Sequence, residues 1–175
     1  GAYMPGLSDV VIMVRGRSRA FLAGPPLLMA ATGEVATEEE LGGAEMHTSM
    51  SGLGEYLAED DRHALGMARE VLARTGFAQT ALQDEAKPPR FDTEELLGLM
   101  PPHHREPVDM REVIARLVDD SDLLEFKPLS GSATVCAQAS MGGHRVGIIS
   151  NNGPIDVAGA NKATHFIQML CQLGQ

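Results

Sequence analysis

Tryptophan is absent, and aromatic residues make up only 4% of the 175 residues, so a core has to be assembled from Leu, Val, Ile, Met and Ala. Side chains of that size suit tight helix-on-sheet layers. Cysteine is also scarce. Cys136 and Cys171 have neither the spacing of a metal site nor the density of a disulfide framework, which fits a reducing compartment and reads both as small buried hydrophobes. Positive charge is in deficit: 14 Lys and Arg face 24 Asp and Glu, a formal net charge of -10. Such a balance opposes binding to a polyanion over a broad surface and speaks against nucleic acid, while small anions need only local charge. No apolar run reaches 18 residues, and the opening GAYMPGLSD lacks the basic region and apolar core of a signal peptide. No membrane association is expected, and the compartment is read as bacterial cytoplasm or, with a transit peptide outside this chain, mitochondrial matrix. Catalytic signatures are missing too. There is no Walker loop, no GxGxxG after a strand, no GxSxG, no HExxH and no CxxC, so nothing supports phosphoryl transfer, dinucleotide binding or a metal site. His103 and His104 stand in a proline-rich stretch as solvated loop residues, and His144 in a hairpin turn.

What the chain does have is a globular hydrophobic content of 43% with 19 glycines and 10 prolines. At this length it can bury a core, since chains of about 150 residues hide roughly 70% of their unfolded surface. Glycine and proline concentrate between Phe21 and Gly52. Gly24-Pro25-Pro26, Gly33 and Gly42-Gly43 place fixed φ angles and missing Cβ atoms where a backbone can approach a ligand closely, which reads as a loop system around a binding site.

Val10 to Val14 is β-branched and bounded by Gly16, predicting a buried strand, with a second short strand at Ala20 to Ala23. Arg15, Arg17 and Arg19 alternate between them and in an extended segment share one face. They serve either ligand phosphates or, preferentially, a solvated strand edge. Pro25-Pro26 opens a helix that Gly33 stops, and Thr37 with Glu38, Glu39 and Glu40 caps another that ends at Gly42-Gly43. A surface helix is predicted from Asp60 or Asp61 to about Arg74, with Leu65, Ala68, Val71 and Leu72 as its stripe. From Gln83 to Pro107 the composition turns proline-rich and reads as a connector, with helical promise only at Glu94 to Leu99. Asp109 and Glu112 form a capping-box pattern ahead of Met110, Val113, Ile114, Leu117 and Val118. Strands follow at Leu123 to Phe126, Ala133 to Ala139 and Arg145 to Ser150, the last two turning at Gly142-Gly143, and a helix begins near Asn161. Strands that feed glycine-rich loops and then helices make an α/β fold. Two histidines stand out. His47 is read as a donor to a ligand or, preferentially, as a holder of its own loop, and His165 as half-buried beside Phe166.

The motifs GAYMPGLSD, AGPPLLMAATGE, ELGGAEMHTSMSG, VDMREVIARLVDDSDLLEFKPL, GHRVGIISNNG and KATHFIQ, in that order, resemble the carboxyltransferase (beta) subunit of biotin-dependent acyl-CoA carboxylases over nearly the whole chain. The resemblance implies a crotonase-like (ClpP/crotonase) ββα superhelix with parts of two related domains. Residues 1–84 are expected to be the C-terminal part of an acyl-CoA-binding domain, 85–107 a connector, and 108–175 the beginning of a carboxybiotin-binding domain. It also marks the chain as an internal fragment, inactive by itself. The implied reaction moves a carboxyl group from carboxybiotin to an acyl-CoA through a thioester enolate stabilised by backbone amides, so no side-chain base is required.

Carried over by residue, Gly1 and Ala2 match the tail of the family's oxyanion segment. Tyr3, Ala23, Gly24, Pro25, Pro26, Gly42, Gly43, His47, Thr48, Ser49 and Gly52 match the substrate cleft. Asn151, Asn152, Gly153 and Lys162 match the biotin side. THFIQ and REVIARLVD resemble the branch acting on methylcrotonoyl-CoA or geranyl-CoA, while NNGPI and Ser130 depart from the methylcrotonoyl pattern and tilt the reading towards geranyl-CoA. Biotin on an alpha subunit, acyl-CoA as substrate, ATP used only by the partner biotin carboxylase, and a homo-oligomer of beta subunits complete the implication. A biotin-dependent acyl-CoA decarboxylase subunit and a non-catalytic assembly piece are the rival readings.

Overall fold

A computed structural model describes residues 2–75, 85–103 and 106–175, and the chain divides into two compact units, Gly1–Ala73 and Arg74–Gln175. In the first, α1 (Tyr3–Gly6) precedes β1 (Ile12–Val14), which runs parallel to β2 (Tyr56–Ala58) in the register Ile12 with Tyr56, Met13 with Leu57 and Val14 with Ala58. Met13, Val14, Tyr56 and Ala58 are buried. Between the strands lie α2 (Pro25–Thr32), α3 (Glu38–Gly42), α4 (Ala44–Met46) and a π-helical turn (His47–Ser51), and α5 (Asp61–Arg74) follows β2.

Local chemistry explains the boundaries. Pro25 and Pro26 occupy the first turn of α2, where no amide partner is lost, and Gly33 closes it at φ 78°. Thr37 and Glu40 form a full capping box on α3: Thr37 Oγ1 accepts from the Glu40 amide at 3.2 Å, and Glu40 Oε2 accepts from the Thr37 amide at 2.9 Å. The expected strand at Ala20 to Ala23 does not form. Only a single bridge links Arg19 to Gly43, and the chain then bends into Gly24-Pro25-Pro26, where prolines have no amide for a ladder. The arginines are not on one extended face either, because residues 15–17 form a turn with Gly16 at φ 65°. Arg15 pairs with Glu45 and Glu59, Arg17 with Asp61, and Arg19 with Glu38. On α5 the inward stripe is Ala64, Met67, Ala68 and Val71, whereas Leu65 and Leu72 face solvent.

The second unit is a sheet covered on both faces. A 3-10 turn (Thr93–Glu95), α6 (Leu96–Leu99), α7 (Met110–Ala115) and another 3-10 turn (Asp119–Ser121) lead into β3 (Leu123–Glu125), β4 (Thr134–Met141) and β5 (His144–Asn151). The strands are antiparallel in the order β3-β4-β5, and α8 (Val157–Leu173) follows. Period-two alternation assigns the faces. Val135 and Ala139 point to Ile114 and Val118 with Leu123, Val146 and Ile148, while Cys136 points to Phe126, Phe166 and Leu170. Thus β4 is buried on both sides, with the α7 segment over one and α8 over the other.

Gly142 and Gly143, at φ 61° and 80°, supply the two left-handed residues of the β4–β5 turn. Gly147 lies under α8, and a Cβ there would come within 2.0 Å of Leu170 Cδ1. Asp156 caps α8 by accepting from the Gly159 amide at 2.7 Å, so the helix begins at Val157, ahead of the expected Asn161. Asp109 caps α7 through the Arg111 amide, and Glu112 turns to Arg116, so the expected reciprocal box is replaced by an ion pair. Arg116 also pairs with Glu95 and stacks on Phe91, 4.9 Å from the ring centroid, fastening the proline-rich stretch to α7. Cys136 is buried, but Cys171 is exposed on α8, contrary to the reading of both as core residues.

Candidate functional site

The first unit contains an apolar groove of about 540 Å³. Its walls come from Ala2, Tyr3 and Leu7 near α1, Ala20 to Ala23 after the arginine turn, Leu28 of α2, Leu41 of α3, His47 and Leu53. Position follows from the glycines beneath it. At Gly42, a Cβ would sit 2.3 Å from the Ala20 carbonyl oxygen and 2.9 Å from Phe21 Cδ1, so only glycine lets α3 press against the wall segment. The Ala20 amide donates to the Gly42 carbonyl at 2.9 Å.

His47 lines the groove with Tyr3, and both of its ring nitrogens are committed. Nε2 lies 2.6 Å from the Ala20 carbonyl and Nδ1 2.7 Å from Ser51 Oγ. A carbonyl only accepts, so Nε2 carries the proton, and in the neutral ring Nδ1 accepts from the serine hydroxyl. His47 therefore ties the π-helical turn to the groove wall, the loop-holding role favoured from the sequence. Thr48 Oγ1 donates to the Ala44 carbonyl at 2.8 Å and Ser49 Oγ to the Glu45 carbonyl at 2.6 Å. These hydroxyls are spent on their own helix and do not line the groove.

Of the residues matched to the substrate cleft, the structure brings Tyr3, Ala23 and His47 to the lining, together with Ala2. Gly1 lies outside the described residues. Gly24 caps α2, Pro25 and Pro26 aim it, Gly43 follows the last residue of α3, and Gly52 ends the π-helical turn at φ 68°. These residues shape the groove from behind. Phe21, Leu22, Leu28, Leu41 and Leu53 are not singled out by the sequence; their signal is only an apolar side chain within the glycine- and proline-rich stretch or at its edge.

The loop after β5 forms a second constellation, in the second unit. Asn151 is exposed and its Nδ2 donates to the Gly153 carbonyl at 2.9 Å. Asn152 is held at three atoms: its amide donates to the Ala133 carbonyl, its Oδ1 accepts from the Met110 amide at 2.8 Å, and its Nδ2 donates to Asp109 Oδ1 at 2.9 Å. The Asp109 carboxyl is held below its ordinary range, first by the Arg111 amide and then by Asn152. Lys162 is 2% exposed, and its Nζ faces Glu125 Oε1 at 3.4 Å. Burial pushes the lysine pKa down against the pull of Glu125, and pushes the neighbouring Cys136 thiol up. His165 stacks edge-on against Phe126, centroids 5.1 Å apart, as a half-buried residue. Among the described residues no group of three His, Cys, Asp or Glu side chains is placed to hold a metal. His103 is exposed, His104 lies outside the described residues, and His144 is exposed at the start of β5.

An apolar groove beside glycine-supported loops, and a loop and helix following a two-faced sheet, define an α/β architecture shared with acyl-CoA carboxyltransferases. The crystal structure of transcarboxylase 12S, described with its hexamer assembly and hydrolysed methylmalonyl-coenzyme A bound, superposes at a TM-score of 0.86 and 33% identity. The match covers 97% of this chain and 34% of that one. The fold is crotonase-like. The carboxyl transferase domain matches residues 1–174, and the chain belongs to that family. It is 48% identical to the "Probable biotin-dependent acyl-coenzyme A carboxylase beta2 subunit" of Mycobacterium tuberculosis, over 97% of this chain and 32% of the relative. It is 42% identical to the "Probable methylcrotonoyl-CoA carboxylase beta chain, mitochondrial" of Drosophila melanogaster, over 98% of this chain and 33% of the relative. The chain thus spans about a third of the length of the relatives it matches. Among the described residues no helix is long and apolar enough to cross a membrane.

Proposed function

We propose that the protein carrying this chain is the carboxyltransferase component of a biotin-dependent acyl-CoA carboxylase. The observation that carries the reading is the groove of the first unit, whose walls are aliphatic and aromatic and whose histidine has both nitrogens occupied. Such a mostly apolar groove accepts an apolar acyl chain. Its volume of about 540 Å³ leaves room for a chain as long as geranyl, and the choice between geranyl and 3-methylcrotonoyl follows the resemblance of THFIQ and REVIARLVD to that branch.

Gly1 and Ala2 belong in this reading to the segment whose amides meet the thioester oxygen as charge develops. Tyr3, Ala23 and His47 flank the acyl chain, supported by Gly24, Pro25, Pro26, Gly42, Gly43, Thr48, Ser49 and Gly52. Asn151, Asn152 and Gly153, with Lys162 behind them, form part of the biotin side. Residues 1–84 then belong to the acyl-CoA domain, 85–107 to a connector, and 108–175 to the carboxybiotin domain. Biotin arrives on an alpha subunit that also contains the ATP-consuming biotin carboxylase, and beta subunits associate with one another in the cytoplasm or mitochondrial matrix. This chain by itself is inactive.

The test is carboxylation by the complete subunit with its biotinylated partner, ATP and bicarbonate, comparing geranyl-, 3-methylcrotonoyl- and propionyl-CoA. Carboxylation with the order geranyl or 3-methylcrotonoyl above propionyl supports the reading. Loss of carboxylate from a carboxylated acyl-CoA, without the forward reaction, replaces it with a decarboxylase. Folded, assembled protein inactive in both directions replaces it with an assembly role.

A further inference from the structure

Lys162, placed above behind the biotin side, belongs to a buried ionic group in the second unit that leads to the 151–153 loop. Lys162 Nζ faces Glu125 Oε1 at 3.4 Å. Glu125 receives a two-pronged contact from Arg111, Nε to Oε2 at 2.6 Å and Nη2 to Oε1 at 2.8 Å. Arg111 Nη1 reaches Asp109 Oδ1 at 3.2 Å, and the same oxygen accepts from Asn152 Nδ2 at 2.9 Å. Asn152 returns the contact by accepting from the Met110 amide at 2.8 Å. Side-chain exposure rises along this path, from 1% at Lys162 to 12% at Glu125, 32% at Arg111 and 50% at Asp109. The path runs from the core beneath α8 to the surface loop after β5.

Packing alone does not account for it. A lysine in that position forgoes its hydration, and a buried ionic group replaced as a whole by apolar side chains of similar volume commonly leaves stability equal or better. Ionic groups kept in a core are best accounted for when they fix one geometry among several. Here the geometry fixed is that of Asn152, whose backbone amide, side-chain oxygen and side-chain nitrogen are each bonded within the protein. Both side-chain heteroatoms of Asn152 are held by the protein, whereas Asn151 beside it is exposed.

We propose that Asp109, Arg111 and Glu125 are positioning residues that, anchored on Lys162, lock Asn152 and so present Asn151 and Gly153 to the carboxylated biotin group. The proposal rests on the reading of this loop as part of the biotin side. Asn152 and Lys162 act through the loop and do not touch the ligand. Arg111 is the hinge of the path, since its guanidinium contacts both carboxylates.

The experiment uses the complete subunit with Asp109→Asn, Glu125→Gln and the double variant, and measures KM separately for the biotinylated partner and for 3-methylcrotonoyl-CoA. Loss of one charge-assisted contact is expected to raise the KM for the biotinylated partner by about fivefold or more, leaving the KM for the acyl-CoA unchanged. A defect of folding would instead lower kcat through loss of active enzyme. Because the residues act in series, the double variant is expected to be no worse than the poorer single variant.

Hydrogen exchange is followed in parallel. The Met110 amide is expected to lose protection in Asp109→Asn, while the Gly159 amide, held by Asp156, keeps it. A shift in the KM for acyl-CoA alone, multiplying effects in the double variant, or unchanged Met110 protection each overturns the proposal. If the wild-type subunit transfers no carboxyl group, the reading of its activity fails. The exchange measurement still decides whether the path holds the loop.

Discussion

Replacing Gly42 with alanine puts a methyl group where the fold has no room. The added Cβ would lie 2.3 Å from the Ala20 carbonyl oxygen, 2.9 Å from Phe21 Cδ1 and 3.0 Å from the Ala20 carbonyl carbon. Close carbon-to-oxygen approaches in proteins begin at about 3.3 Å, so the wall segment must retreat by about 1 Å. The oxygen is backbone and no rotamer change relieves it. Retreat stretches the hydrogen bond from the Ala20 amide to the Gly42 carbonyl, and pulls the Ala20 oxygen from His47 Nε2.

Overpacking of a close contact costs about 1–3 kcal/mol and a weakened hydrogen bond about 1 kcal/mol, a sum of about 2–4 kcal/mol. For a chain of this size each kcal/mol moves Tm by roughly 2–4 °C, so the variant should melt roughly 5–15 °C lower in differential scanning calorimetry. The complete subunit carrying the change should also bind its acyl-CoA more weakly, because Phe21 is a groove wall. A Gly42→Ala protein that melts within about 1 °C of wild type would refute the argument that this contact requires glycine.

Gly66 tests the same logic with the opposite sign. It lies inside α5, where an added Cβ would meet nothing within 4 Å, so Gly66→Ala should stabilise by about 0.5–1 kcal/mol in urea unfolding. Thr37→Ala removes the cap of α3 and should cost about 1 kcal/mol by the same measurement, whereas Thr37→Ser should cost less. The Glu40 carboxyl in that box is held below its ordinary range by the Thr37 amide. Its support is therefore present above the unfolded value of about 4.3 and lost as pH falls through the lower folded value, which a pH series of urea midpoints would register. Lys162→Met should destabilise by less than the about 3–5 kcal/mol expected on breaking a buried pair, because Glu125 keeps both contacts to Arg111. Burial lowers the folded pKa of Lys162. The unfolded chain thus binds the extra proton between that lowered value and about 10.4, and wild-type stability gains a contribution as pH rises through that window. Lys162→Met should lack that gain, and an identical alkaline profile in both proteins would contradict the assignment.

Local chemistry alone located much of this fold. The capping of α3 by Thr37, the prolines that open α2, the Gly33 stop, the Gly142-Gly143 turn and the β4–β5 pair all depend on residues within a few positions of one another. Ordered motifs along the chain carried the resemblance that the family match bears out. Sequence could not say that residues 20–23 would form a groove wall with no ladder, since that depends on Gly42 arriving from further along the chain. Nor could it say that both leucines of α5 face solvent while Ala64 and Met67 join Ala68 and Val71 inward, because both candidate stripes share the helical period and only the packed neighbours choose between them.

The roles of polar residues were decided almost wholly by tertiary structure. Thr48 and Ser49 look like ligand donors in a small-residue loop, yet the π-helical turn places their hydroxyls against carbonyls of the preceding turn. Asn151 and Asn152 are adjacent and chemically identical, but only the second meets the start of α7. Lys162 was matched to the biotin side from the sequence, yet β3 brings Glu125 beneath it and buries it. The sequence by itself determined where most helices and strands begin and end, because caps, turns and alternation are short-range. The tertiary structure decided which side chains face a ligand and which are spent on the protein, because that depends on groups far apart in the chain, 27 positions for His47 and Ala20 and 42 for Met110 and Asn152, meeting in space.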